Sequence, residues 1–300
     1  MTEHPSPTPA GPLPVPPTLA GLATVAGDYD LVLCDVWGVV HNGVAAFPGA
    51  CDALPRLRRG GAAVVLITNA PRPAPFIAEM LEKMGVPKDA YDAIVSSGDL
   101  TRTALADRPG AKVFHIGPER DVSTFDGLDV TLVPLAEAQI VVCTGLFDDD
   151  VETATDYAVP LAEMRARDLP FICANPDIVV ARGDKLIYCA GAIAEAYEAL
   201  GGEVLYFGKP YPAIYETALA LGAAASGRQA ARERILAIGD ALHTDMAGAA
   251  RCGFDGLFIA SGIHAHELSA IDGAIPDGEA LARLFAGHAH PRGVMPRLAW

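Results

Sequence analysis

From Asp30 onward, short β-branched runs alternate with stretches of helical periodicity, and this alternation restricts the possible folds more than any other feature of the chain. Two parallel neighbours in a sheet need a crossover of a dozen or more residues, usually a helix. The pattern therefore predicts an α/β protein built on a doubly wound parallel sheet. Residues 31–36, 62–68 and 93–96 read as strands, with helices near 50–59, 74–84 and 99–106. A second set of short strands follows at 112–116, 129–132, 139–143 and 170–173, with helices over 150–167 and 189–200. The first pattern then resumes: strand 204–207, helix 213–221, strand 235–238, helix 245–251, strand 256–259 and a last helix near 278–285. The expected organisation is a core of residues 21–109 and 203–300, interrupted by an inserted α/β domain at 110–202.

At 300 residues, half of them hydrophobic, the chain is long enough for one large core and a second lobe. Its formal net charge of −15 excludes a nucleic-acid partner, which requires a basic face. A small molecule is the expected partner. The six cysteines form no C-x-x-C pair and several lie inside apolar runs, which suits reduced thiols in a cytoplasmic protein. The first twenty residues hold seven prolines and no basic-then-apolar pattern, so residues 1–20 read as a disordered tail, neither a secretory peptide nor a membrane span.

Four polar groups each follow an apolar strand. In Leu31-Val-Leu-Cys-Asp35-Val-Trp37-Gly, a strand delivers one carboxylate and breaks at a glycine. In Ile67-Thr68-Asn69-Ala-Pro71, a hydroxyl and turning backbone N–H groups suit phosphate oxygens. Gly208-Lys209-Pro210 fixes a point charge between two conformationally special residues. Ile238-Gly-Asp240-Ala-Leu-His243-Thr-Asp245 sets two carboxylates five residues apart, a hard-oxygen site suited to Mg²⁺. Asp35, Thr68 and Ser96 all fall at strand carboxyl ends, where such sheets bind ligands.

Taken in order, these motifs resemble the haloacid dehalogenase superfamily, specifically its NagD-like subfamily IIA and the branch that opens Asp-Val-Trp-Gly. The resemblance spans roughly residues 28–265 and extends to His41, Phe47-Pro-Gly-Ala50, Ser96-Ser97-Gly98 and Asn175-Pro176-Asp177. It implies a Mg²⁺-dependent phosphohydrolase acting on a small phosphorylated metabolite, with an inserted cap domain and a possible homodimer through the cap. Asp35 would be the nucleophile that becomes an aspartyl phosphate. Thr68 and the Asn69 backbone would bind phosphoryl oxygens, and Lys209 would neutralise charge. Asp35, the backbone carbonyl of Trp37, Asp240 and Asp245 would hold the metal.

Trp37 stands where the family pattern has an aspartate, and an indole N–H offers no usable proton at neutral pH. General acid–base catalysis, worth about 10²–10⁴-fold, is then impaired, which favours good leaving groups such as phenolates, carboxylates and phosphates. His41 and His243 are the candidate replacement acids; Trp37, His41, Asn175, Asp177 and His243 are candidate substrate or cap contacts. The alternative reading is a non-hydrolytic phospho-ligand sensor on the same fold.

Overall fold

The computed structural model describes residues 15–183 and 185–300. Strands and helices are numbered here along the chain. Six parallel strands make the core sheet: β1 (Leu31–Cys34), β2 (Ala63–Thr68), β3 (Ala93–Ser96), β11 (Ile235–Gly239), β12 (Asp255–Ile259) and β13 (Gly293–Met295). Their order is β13-β12-β11-β1-β2-β3. Successive strand residues point to opposite faces, and both faces are covered. Val32, Cys34, Val64 and Leu66 pack with Leu54 and Leu57 of α1 (Pro48–Arg59) on one side. Leu31, Leu33, Val65 and Ile67 pack against Ile214 and Tyr215 on the other. Burial on both faces is why these strands are continuous apolar runs without polar alternation. α2 (Ala74–Lys83) and α3 (Ser97–Ala106) complete the first half of the core.

A second parallel sheet contains β4 (Ala111–Ile116), β5 (Val130–Leu132), β6 (Ile140–Cys143), β7 (Phe171–Cys173) and β10 (Val204–Tyr206), in the order β10-β7-β6-β4-β5. On one face, α4 (Ala158–Ala166) and α5 (Ala190–Ala199) bury Leu161, Met164, Ile193 and Tyr197 against Val141, Cys143 and Phe171. Between β7 and α5 the chain forms an antiparallel hairpin, β8 (Val179–Arg182) and β9 (Lys185–Tyr188). The chain returns to the core through α6 (Pro212–Ser226), α7 (Ala247–Cys252) and α8 (Gly278–Leu284).

Several expectations need correction. Residues 204–206, expected in the core sheet, pair instead with β7. A three-residue strand carries no record of its neighbour, and this one sits beside the strand whose helix leads into it. The inserted sheet therefore runs past the expected boundary at residue 202. The expected helix over 150–167 begins only at Ala158, because Thr153 and Asp156 cap each other reciprocally and restart the chain. The β8–β9 hairpin and β13 were not anticipated. Of the expected tail at 1–20, residues 1–14 lie outside the described residues. Residues 17–19 run along β13: the Val294 N–H donates to the Pro17 carbonyl and the Leu19 N–H to the Val294 carbonyl. An edge strand's free backbone groups recruit such a partner.

Candidate active site

β1 is followed in the chain by β2 on one side and flanked by β11 on the other. The loops after β1 and β11 therefore diverge and open a crevice at the strands' carboxyl ends. Asp35 directly follows β1, Thr68 ends β2 and Asp240 directly follows β11. Lys209 enters from the third residue past β10, so the returning chain brings the cation.

Lys209 Nζ donates to Asp35 Oδ1 at 2.5 Å and to Asp245 Oδ1 at 2.6 Å. Asp35, Asp240 and Asp245 are all buried, and each brings a carboxylate oxygen within 4.8 Å of the others. Burial is the largest influence on Asp35 and drives its carboxyl well above the usual range; Lys209 opposes this, and Asp245 and Asp240 add to it. Burial and then the Asp245 charge push Asp240 up to about 7. Burial works against the Lys209 ammonium, but the carboxylates of Asp245 and Asp35 hold its pKa well above the ordinary value. Three buried carboxylates against one ammonium are a donor set short of positive charge, and they fit a hard divalent cation.

Local backbone sets this geometry. Leu242–Met246 forms a π-helical turn ahead of α7, with the N–H groups of Asp245 and Met246 both bonded to the Ala241 carbonyl. Asp245 Oδ2 reaches back to the Ala241 N–H at 3.1 Å. The Ile263 N–H holds Asp240 Oδ2 at 2.8 Å. Gly38 has φ +83°, and a Cβ there would lie 2.0 Å from Asp240 Oδ2. Only glycine fits beneath that carboxylate.

The Thr68 hydroxyl is buried and accepts the Ala70 N–H at 3.2 Å. The Asn69 side chain clamps three segments. Its Oδ1 accepts the Lys209 backbone N–H at 2.7 Å, and its Nδ2 donates to the Lys209 carbonyl at 3.1 Å and to Asp177 Oδ1 at 2.9 Å. Asp177 thereby brings a carboxyl from the inserted domain to the crevice. Together these groups line a cavity of about 220 Å³, which Asp35, Thr68, Asp177, Lys209, Asp240 and Asp245 share with the hairpin residues Val179, Ala181 and Leu186.

Trp37 supports this hairpin: its Nε1–H donates to the Ala181 carbonyl at 2.5 Å. Its ring lies over Gly43, where a Cβ would come within 2.5 Å of it. The hairpin divides two spaces. Ala181 and Leu186, opposite each other, face the cavity that holds Asp35, whereas Arg182 and Ile187 face a second cavity of about 290 Å³.

Three of the candidate contact residues do not line the Asp35 cavity. His41 is fully buried beneath Trp37, ring centroids 5.1 Å apart and nearly edge-on, and does not line the Asp35 cavity. Its Nδ1 accepts the Gly43 N–H at 2.9 Å, its Nε2 has no partner, and burial lowers its pKa to about 4. His243 is exposed on the outer side of its turn, edge-on to His288 at 5.7 Å. The residue pattern gave both histidines by position along a loop, which does not fix the direction of a side chain. Asn175 lines the second cavity and organises its own turn, its Oδ1 accepting the Asp177 N–H at 3.1 Å. Ser96 caps α3 in a reciprocal box with Asp99 and stays out of the crevice. Asp148, Asp149 and Asp150 cluster closely, but Arg120, Arg182 and Lys185 are paired with Asp149 or Asp150. The sequence reading missed the hairpin wall, His266 and Arg297 at the cavity. Only the position of His266 after the last predicted strand hinted at its place.

Comparison with known proteins bears on the family and the fold. A profile described as haloacid dehalogenase-like hydrolase matches residues 32–131, and a second, HAD-hydrolase-like, matches 206–278. The crystal structure of a haloacid dehalogenase-like hydrolase from Brucella suis 1330 is 46% identical, with a TM-score of 0.83 over 93% of this chain and 98% of that one. This chain belongs to the haloacid dehalogenase-like hydrolase family. Within the family it is similar to the ribonucleotide monophosphatase NagD of Escherichia coli K12, 27% identical over 77% of this chain and 88% of that protein. The D-glycerol 3-phosphate phosphatase of Mycobacterium tuberculosis is 28% identical over 81% of this chain and 66% of that protein. Among the described residues, no helix is long and apolar enough to cross a membrane.

Proposed function

We propose that this enzyme, a haloacid dehalogenase-type phosphatase, hydrolyses a small phosphorylated metabolite in a Mg²⁺-dependent reaction through an aspartyl phosphate on Asp35. The observation that carries the reading is the placement of Lys209 Nζ between Asp35 and Asp245, with Asp240 in the same cluster. In this reading, Asp35 Oδ attacks phosphorus while the Thr68 hydroxyl, the Asn69 backbone and Lys209 take the charge on the phosphoryl oxygens. Asp35, Asp240, Asp245 and the Trp37 carbonyl would hold Mg²⁺, which when bound offsets charge on the phosphoryl group and screens the carboxylates from one another.

Position 37 then brings no proton to the leaving oxygen, because an indole N–H is no acid at neutral pH and this one is engaged by the Ala181 carbonyl. Phenyl phosphates, acyl phosphates and anhydrides leave as weak bases and are turned over by the core's machinery alone. An alkyl phosphate needs a donor from elsewhere in the cavity. The same feature favours the second reading, a phospho-ligand sensor that binds without turnover. Assays with p-nitrophenyl phosphate and acetyl phosphate, with and without Mg²⁺, test the two against each other. Turnover that requires Mg²⁺ and disappears in Asp35→Asn supports the enzyme; binding without turnover of either compound supports the sensor.

A further inference from the structure

A proton donor to a leaving group works within hydrogen-bond reach of the oxygen it protonates, so it has to face the cavity. His41 and His243 do not. Among the described residues, the titratable side chains that do are Asp35, Asp240, Asp245 and Lys209 of the central cluster, together with Asp177, His266, Asp272 and Arg297. The first four are occupied as nucleophile, metal ligands and charge partner. Asp272 is on the outer rim, its side chain 95% exposed, with Arg297 3.5 Å away. His266 is exposed on the outer loop. Asp177 alone is held at the phosphate-side loops, by the Asn69 side chain that also clamps both backbone groups of Lys209. That bond engages Oδ1, and no described residue donates to Oδ2.

We propose that Asp177, delivered by the inserted domain, protonates the leaving oxygen in place of the missing carboxylate at position 37 and then activates the hydrolytic water. The proposal rests on the aspartyl-phosphate reading of Asp35. In the first step the Asp35–phosphorus bond forms, the bond from phosphorus to the leaving oxygen breaks, and the Asp177 Oδ2 proton moves to that oxygen. In the second step Asp177, now a carboxylate, takes a proton from water as the water oxygen attacks phosphorus, and the bond to Asp35 breaks to release phosphate. The cycle returns both carboxyl groups to their starting states. Burial favours the protonated form of Asp177, with Lys209 and the Asn69 bond opposing it and Asp245 reinforcing it. Such a donor extends the substrate class from activated esters to alkyl phosphates, the esters of sugars and polyols. It also makes alkyl-ester chemistry conditional on docking of the inserted domain, because the acid arrives with that domain.

The test is single-turnover and steady-state kinetics of the wild type and Asp177→Asn. The substrates are aryl phosphates of graded leaving-group pKa and glycerol 3-phosphate, each with Mg²⁺. Asparagine keeps the acceptor for Asn69 and removes the proton. In Asp177→Asn the expected result is a p-nitrophenolate burst of one per enzyme at a rate close to wild type, followed by slowed steady-state release. Glycerol 3-phosphate turnover should fall by about 10²–10⁴-fold. A uniform loss across the series, or no loss, overturns the proposal. If the variant does not fold, the wild type decides: rates that fall only shallowly with leaving-group pKa support a donor in the cavity, and a steep fall overturns it. Turnover that survives in Asp35→Asn overturns the nucleophile reading instead, and this inference with it.

Discussion

Replacing Trp37 with phenylalanine isolates one bond. Phenylalanine keeps an aromatic ring against His41 and over Gly43 but removes the N–H that holds the Ala181 carbonyl at 2.5 Å. The hairpin keeps a second tie, from the Gly183 N–H to the Asn42 carbonyl at 3.3 Å, and its ion pairs from Arg182 and Lys185 to Asp149 and Asp150. The loss should therefore be confined to one hydrogen bond, about 0.5–1.5 kcal/mol, or roughly two- to twelve-fold in the ratio of docked to undocked hairpin. Hydrogen exchange by mass spectrometry on peptides covering 179–188 should speed up by that factor, while peptides covering β1 and β11 stay at the wild-type rate. KM should rise by a similar factor, because Ala181 and Leu186 line the cavity. Unchanged hairpin exchange in Trp37→Phe would refute the idea that this indole latches the inserted domain to the core.

Lys209→Met leaves Asp35 and Asp245 buried without their cation; unfolding in metal-free buffer should show a loss of about 3–5 kcal/mol, with most of it regained on adding millimolar Mg²⁺. A loss that Mg²⁺ does not reverse would count against a cation site at these carboxylates. Gly38→Ala should displace Asp240 and lower kcat/KM by roughly 10²-fold, as misplacement of about 1 Å typically does, and wild-type activity in that variant would remove the packing argument. His41 has a folded pKa of about 4 against 6.5 unfolded, so the unfolded chain binds the extra proton. Its contribution is complete above pH 6.5 and is lost as pH falls towards 4, by up to about 3 kcal/mol. Denaturant titrations of His41→Asn across that window should give a flatter stability profile than the wild type; an equally steep one would place the acid sensitivity elsewhere.

The core was the legible part of this sequence, because strands buried on both faces have to be apolar throughout. Leu31–Cys34 and Ile235–Gly239 therefore stand out, and each hands its polar residue to the crevice at the point where the apolar run stops. The hairpin was illegible for the opposite reason. Val179–Arg182 and Lys185–Tyr188 border cavities, and Leu186 and Tyr188 are apolar although exposed, so polarity does not follow exposure along the hairpin and no alternation results. The placement of Asp177 depends on Asn69, a partner 108 positions away, and no local spacing encodes a bond of that span. His41 and His243 failed as cavity residues for a related reason. A loop position limits how far a side chain can reach, but its direction is decided by what packs around it.

The path from β10 to Lys209 has a consequence for recombining domains of this kind. Tyr206 is the last residue of the inserted sheet, Phe207 packs into hydrophobic clusters on both sides of the junction, and Lys209 of the carboxylate cluster follows two residues later. A chimera that exchanged the insertion at residue 202 would splice a foreign helix onto the native β10 and leave that strand to find a new sheet. Any mismatch in its register would be transmitted through three residues to the ammonium that balances Asp35 and Asp245. Exchange of the whole segment from Ala111 to Tyr206 moves the sheet intact, and the lysine then serves as a built-in gauge of whether the graft has seated.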